Sequence, residues 1–145
     1  MIRQYKISVP KNTLNIIYKK VRNYPWKEIQ NVNGWEYGTN YNFLKKISQY
    51  WVSKYDWKKF ENKINSFKNY KTNVDGVNLH FIKEKSKNPK SRPLLLLHGW
   101  PGSVIEFLDI IPKLAHPEKF GGKVEDGFDV IVPSLPGFGF STPIK

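Results

Sequence analysis

Residues 92–103 limit what this chain can fold into more than any other stretch: Arg-Pro-Leu-Leu-Leu-Leu-His-Gly-Trp-Pro-Gly-Ser. Leu94 to Leu97 is short and apolar at every position, the pattern of a strand buried on both faces of a parallel sheet. Pro93 bounds the run on one side and His98-Gly99 on the other. Two glycines and a proline then require a tight loop. Ser103 is a helix N-cap, and Glu106, three residues later, completes a capping box. The helix so opened carries Val104, Phe107, Leu108 and Ile111 on one face, which should pack back on the sheet. In an open α/β sheet, ligands bind beyond the carboxyl ends of the strands, where this loop falls. Gly99 and Gly102 let the backbone pass close to a reacting atom, because no Cβ intervenes.

On either side, the spacing predicts more of the same sheet. Residues 69–74 and 77–85 flank Asp75-Gly76, a strong two-residue hairpin signal, and Val77, Leu79 and Phe81 alternate with polar neighbours. This reads as an antiparallel hairpin at one edge of the sheet. Lys83 to Arg92 is a polar loop and Pro117 to Gly127 a Gly- and charge-rich one. Phe128 to Val132 is the next parallel strand, reached by a right-handed crossover. Beyond it, Pro133 to Ser141 (Pro-Ser-Leu-Pro-Gly-Phe-Gly-Phe-Ser) turns tightly at Gly137 and Gly139. It matches neither a phosphate loop nor a dinucleotide fingerprint. Two readings of it stand: a loop that braces the turn after Leu97, or one whose Phe138 or Phe140 lines a substrate pocket.

The N-terminal half reads differently. Residues 2–10 are extended and end at Pro10. Asn12-Thr13 can cap a helix with Leu14, Ile17, Tyr18 and Val21 on its apolar face, and Pro25 stops it. A loop over 24–39 needs Trp26 and Trp35 as anchors. A second helix fits 40–54, with Phe43, Leu44, Ile47, Tyr50 and Trp51 recurring at helical spacing. Asp56 caps a third, with Trp57, Phe60, Ile64 and Phe67 on one stripe. Core packing is the expected use of these stripes. Of the chain's 22 aromatic residues, 15 lie in the first 70 positions.

Charge follows the same division. Residues 1–70 carry 14 Lys and Arg against 4 Asp and Glu, and residues 71–145 carry 10 against 8. The lysines are dispersed through helical patterns rather than clustered, so a solvated surface is expected and nucleic-acid binding is not. Without cysteine, neither a disulfide framework nor a thiolate metal site can form. His80, His98 and His116 show no metal-ligand spacing, so no metal and no cofactor are expected. The first residues hold no apolar run, and no stretch of 18 or more apolar residues follows. A cytoplasmic chain without signal peptide or membrane span is the expectation.

His98-Gly-Trp-Pro-Gly102 resembles the His-Gly-x-Pro segment after the third strand of α/β-hydrolases, which supplies a backbone N–H to an oxyanion hole. Taken with Glu106-Phe107 and Pro133 to Ser141, it resembles the microsomal-type epoxide hydrolases, including the insect juvenile-hormone epoxide hydrolases. Trp35-Glu-Tyr-Gly38, Tyr50-Trp51, Tyr55-Asp-Trp57, Glu61, Asn65, Asp75-Gly76 and His80-Phe81 match that group's N-terminal region, in its order and spacing.

The resemblance implies an α/β fold: the N-terminal part of an α/β-hydrolase, with about four strands, an antiparallel hairpin then parallel strands. A helical, aromatic-rich N-terminal region precedes it. Residues 1–68 would form that region and wrap the catalytic domain, and residues 69–145 would form the first half of the hydrolase domain. The resemblance makes the Trp100 N–H the oxyanion donor, supported by His98, Gly99, Pro101 and Gly102, with the Trp100–Pro101 bond cis. His98 is expected to be a structural, hydrogen-bonded histidine rather than an acid or base.

An aspartate nucleophile, a histidine base with its carboxylate and two lid tyrosines would lie beyond Lys145. No acid here, Asp109, Asp126 and Asp129 included, has a nucleophile-elbow setting. The chain is therefore expected to be catalytically incomplete alone and to work on a small-molecule epoxide only with a complementing C-terminal half. Three other readings remain open at this level: an ordinary strand-to-helix turn, a piece of an esterase or dehalogenase, and a non-catalytic basic interaction fragment.

Overall fold

In a computed structural model, residues 1–28 and 34–143 are described. The part of the 24–39 loop at 29–33 lies outside them. The chain divides into two compact units, one of residues Met1–Ile7 and Glu61–Lys145, the other of residues Ser8–Phe60.

The elements, in chain order, are β1 (Arg3–Gln4), α1 (Lys11–Arg22), α2 (Tyr41–Ser53), α3 (Trp57–Asn65), β2 (Asn69–Val74), β3 (Val77–Glu84), β4 (Pro93–Leu95), α4 (Ile111–Ala115) and β5 (Asp129–Pro133).

The first unit is built on one five-stranded sheet of order β1-β2-β3-β5-β4. β2 and β3 form the expected hairpin. Its turn is type I′, with φ 49° at Asp75 and 84° at Gly76, and a backbone that enters the left-handed region twice suits Asp-Gly. Tyr70 faces Phe81 across the ladder and their rings stack at 5.5 Å. The hairpin is not the sheet edge, however. β1 pairs antiparallel with β2 outside it, and the Tyr5 N–H continues the ladder to the Asn69 carbonyl. The sheet thus has five strands rather than four. β5 runs antiparallel to β3 and parallel to β4, so the chain crosses over between β4 and β5.

The apolar run at Leu94 is a strand, but not one buried on both faces. β4 pairs only with β5 among the described residues, so it is an edge, and Leu95 and Leu97 are 58% and 56% exposed. Leu94 and Leu96, on the opposite face, are half-buried. After the turn, Ser103 forms the expected capping box with Glu106. The helix it opens is a 3-10 turn over Val104–Phe107, and α4 follows separately. Pro112 explains the interruption: it has no N–H, and its ring would collide with the carbonyl four residues back in a continuous helix. The apolar face survives the break, since Val104, Leu108, Ile111 and Ala115 are all buried. They join Ile82, Val130 and Val132 from the sheet in the core of this unit. The Pro117 to Gly127 loop holds two short 3-10 turns, Pro117–Phe120 and Val124–Asp126.

In the second unit, α1 begins at Lys11 with Pro10 as N-cap and no side-chain cap, so Asn12 and Thr13 lie inside the first turn. The φ of Pro10, −59°, already suits a helix entry. Leu14, Ile17, Tyr18 and Val21 are its half-buried positions, as the spacing requires. Asn40 caps α2 by accepting from the Phe43 N–H at 3.0 Å, and Asp56 caps α3 by accepting from the Lys58 N–H at 2.9 Å. Trp26 anchors its loop: its ring meets Tyr24 and Tyr41 edge-on, and its carbonyl accepts from the Tyr41 hydroxyl. The α2 stripe does not become core. Phe43, Leu44, Ile47, Tyr50 and Trp51 all stay exposed. An apolar hollow of about 470 Å³ opens among Ile47, Tyr50, Trp51, Tyr55 and Trp57.

Candidate active site

The carboxyl end of β4 leads directly into a tight turn. The Gly102 N–H donates to the Gly99 carbonyl at 2.8 Å, and the Trp100–Pro101 bond between them is cis. That combination, with cis-Pro at the third position, defines a type VI turn. Trp100 occupies the second position. Among the described residues its N–H donates no hydrogen bond, and its side chain is 84% exposed. The Ser103–Glu106 box seals the turn on its far side, where the Glu106 carboxylate accepts from the Ser103 N–H at 3.2 Å. A Cβ on Gly102 would run into that carboxylate.

His98 is buried beneath the turn, 4% exposed. The Leu135 N–H points at its Nε2 from 3.1 Å, and Nδ1 lies 3.0 Å from the Gly99 carbonyl. A backbone amide can only donate, so Nε2 carries the lone pair; a carbonyl can only accept, so Nδ1 carries the proton. Both ring nitrogens are thus committed to backbone partners. It ties the Gly99–Gly102 turn to the Pro133–Ser141 loop.

That loop is itself pinned to β3. Ser134 N–H donates to the His80 carbonyl, the His80 N–H donates to Ser141 Oγ, and that hydroxyl donates to the Ser134 carbonyl at 2.7 Å. Gly137 and Gly139 adopt φ of 81° and 53°, in the left-handed region. A Cβ at Gly139 would also approach Ser134 Oγ to 2.9 Å. Phe138 packs edge-on against the His98 ring at 5.4 Å. Phe140 lies with Tyr5 and the His80 ring, at 6.5 and 5.1 Å. The structure therefore brings His98, Gly99, Trp100, Pro101, Gly102 and Phe138 together and sets Phe140 among the strands.

Sequence reasoning left His80 without a role. It is fully buried between Asn69 Oδ1, 3.0 Å from Nε2, and Ser134 Oγ, 2.9 Å from Nδ1. Burial, aided by the Lys71 ammonium, pushes its pKa down to about 4, so the ring is neutral near pH 7. One signal was available: His80 is out of phase with Val77, Leu79 and Phe81 and shares a face with Ile82, so a polar ring had to enter the core. Asp129, at the start of β5, is also accounted for. Burial alone would raise its pKa, but the Ser91 hydroxyl, the Ser86 N–H and the Lys85 and Lys83 charges outweigh that and hold it below the usual carboxylate range. Among the described residues, no group of His, Asp and Glu converges as a metal site would need.

A sheet with a parallel pair, a glycine turn at the carboxyl end of a strand and a capped helical turn after it form the N-terminal portion of an α/β-hydrolase fold. The α/β-hydrolase fold model matches residues 92–145. The chain belongs to the epoxide hydrolase N-terminus family, whose model matches residues 2–107.

Over 97% of its length the chain is 46% identical to a protein of Stigmatella aurantiaca, covering 32% of that protein. Epoxide hydrolase 1 of Oryctolagus cuniculus is 39% identical over the same shares of the two chains. Juvenile hormone epoxide hydrolase 1 of Ctenocephalides felis is 37% identical, with 97% of this chain and 30% of the relative covered. Among solved structures, the Aspergillus niger epoxide hydrolase superposes with a TM-score of 0.81 at 29% identity, over 100% of this chain and 38% of that one. The juvenile hormone epoxide hydrolase of Bombyx mori gives 0.78 at 32% identity, over 99% and 34%. The chain spans about a third of the length of the curated relatives it matches. No described helix is long and apolar enough to cross a membrane.

Proposed function

We propose that these residues are the N-terminal part of an epoxide hydrolase and that they supply the Trp100 N–H to its oxyanion hole. The observation that carries this reading is the Trp100 N–H at the end of β4, which has no hydrogen-bond acceptor among the described residues in a chain of this family. Residues 1–68 serve as the N-terminal region and residues 69–145 as the first half of the hydrolase domain, with a complementing C-terminal half as the partner. In the reaction proposed, an aspartate of that half attacks an epoxide carbon and forms an ester, and the opened oxygen takes a proton from a tyrosine. A histidine base then takes a proton from water, which attacks the ester carbonyl. The tetrahedral oxyanion is held by the Trp100 N–H; collapse expels the diol oxygen, which takes the proton of the newly added hydroxyl as the aspartate carboxylate re-forms, and the proton held by the histidine returns to the tyrosinate. His98, Gly99, Pro101 and Gly102 shape the donor turn, and Phe138 borders it.

The test is a chimera in which these 145 residues replace the matching third of a related epoxide hydrolase, assayed for diol from an epoxide. The chimera should turn over, whereas the chain by itself should form no diol. Trp100→Pro removes the N–H and should lower kcat by about 10²-fold or more. A Trp100→Pro chimera as active as its parent would refute the donor role. Diol formed by the homogeneous chain alone would refute the missing-nucleophile reading.

A further inference from the structure

His80 and His98 bond adjacent residues of one loop, His80 to the Ser134 hydroxyl and His98 to the Leu135 N–H, and the polarity of each bond is set by a group that cannot reverse. For the first bond, the Asn69 side-chain nitrogen donates to the Ile64 and Phe67 carbonyls at 3.0 and 2.8 Å. Those carbonyls only accept, so Asn69 cannot flip and must present its oxygen to His80 Nε2. Nε2 therefore carries the proton, and Nδ1 accepts from the Ser134 hydroxyl. For the second, the N–H of Leu135, the residue after Ser134, donates to His98 Nε2 and forces the proton onto Nδ1, facing the Gly99 carbonyl.

We propose that His80 is a positioning residue for the Trp100 amide: through Ser134 it holds the Leu135 N–H on His98, and the two imidazoles, in opposite neutral tautomers, set the Gly99–Gly102 turn. The proposal rests on the reading of that amide as the oxyanion donor. Each step is a contact already described. Ser134 is fully buried, so its hydroxyl has no substrate to reach and serves only the relay. Gly99 is the shared terminus, its carbonyl meeting both His98 Nδ1 and the Gly102 N–H that closes the turn.

The test uses the full chain labelled with ¹⁵N-histidine, with imidazole nitrogen–proton correlations read near pH 7 in solution or by magic-angle spinning. His80 should be protonated at Nε2 alone and His98 at Nδ1 alone. Two substitutions then test the coupling. His80→Gln keeps a donor where Nε2 stands but loses the link to Ser134; the His98 signature should shift and the Leu135 amide should exchange faster. His80→Asn keeps an acceptor where Nδ1 stands; the His98 signature should be retained. A ring that merely fills space would perturb His98 alike in both. Matching tautomers in the two histidines, a doubly protonated ring near pH 7, or an unmoved His98 in His80→Gln would overturn the proposal. The first two are read on the unsubstituted chain. None requires turnover, so a failure here leaves the epoxide reading standing, and an inactive chimera leaves this one standing.

Discussion

Two histidines in this protein work as fixed hydrogen-bonding parts rather than as acids or bases, and one of them makes stability depend on pH. His80 has a folded pKa of about 4, below its ordinary value. The unfolded chain therefore binds the extra proton first as pH falls. The stabilisation is complete above about pH 6.5, shrinks as pH drops and is gone below the folded value, a loss of about 3 kcal/mol at most. Urea unfolding at pH 7 and pH 4.5 should show it, and His80→Phe should remove it. An unchanged pH slope in that variant would contradict the assignment. Asp129 contributes in a separate, more acidic window: its stabilisation is present above the unfolded carboxylate value and lost as pH falls through the depressed folded one. Gly139 is dictated by both its backbone and its surroundings. Gly139→Ala places a Cβ at φ 53° against Ser134 Oγ and should cost about 1–2 kcal/mol, read as a lower urea midpoint.

At the scale of elements, the loops matter more than the helices. The polar segment between β3 and β4 is held by Asp129, whose carboxylate accepts from the Ser86 N–H and the Ser91 hydroxyl at 3.0 and 2.8 Å. Asn88 adds a bond to the Glu125 carbonyl. Asp129→Ala leaves the Ser86 and Ser91 donors without that acceptor, a local loss of about 1–3 kcal/mol. Trypsin should then cut faster after Lys85, Lys87 and Lys90, while the β2–β3 hairpin stays intact. Equal cleavage rates in parent and variant would show that the loop is held by other means. Glu84, the last residue of β3, anchors the start of the same segment: its carboxylate lies 2.9 Å from His116 Nε2, just past α4.

The molecule as a whole leaves apolar surface open in both units. Among the described residues, β4 ends the sheet as an unpaired edge with Leu95 and Leu97 exposed, and α2 shows an aromatic stripe. Unpaired edges and contiguous apolar patches drive association. The chain should self-associate in a concentration-dependent way, and Leu95→Lys with Leu97→Lys should lower its average mass in sedimentation velocity. A monomer at all concentrations would sink this.

Features that depend on near neighbours could be read from the chain directly. The Asp75-Gly76 turn, the Asp56 and Ser103 caps and the half-buried positions of α1 follow from spacing within a few residues, and so does the turn at Gly99–Gly102. Pro112 was equally local: its missing N–H breaks the helix after Ser103, and the apolar spacing hid it. What folding in space alone decided were partners far apart in sequence. β1 found the open edge of β2, β5 entered between β3 and β4, His80 met Asn69 and Ser134, and His98 met Leu135. A buried polar group must find a partner of the right polarity wherever the chain brings one, and local spacing does not encode that encounter. For the same reason the sequence specified Leu94 to Leu97 as a strand, whereas only the sheet order determined which of its faces stayed open.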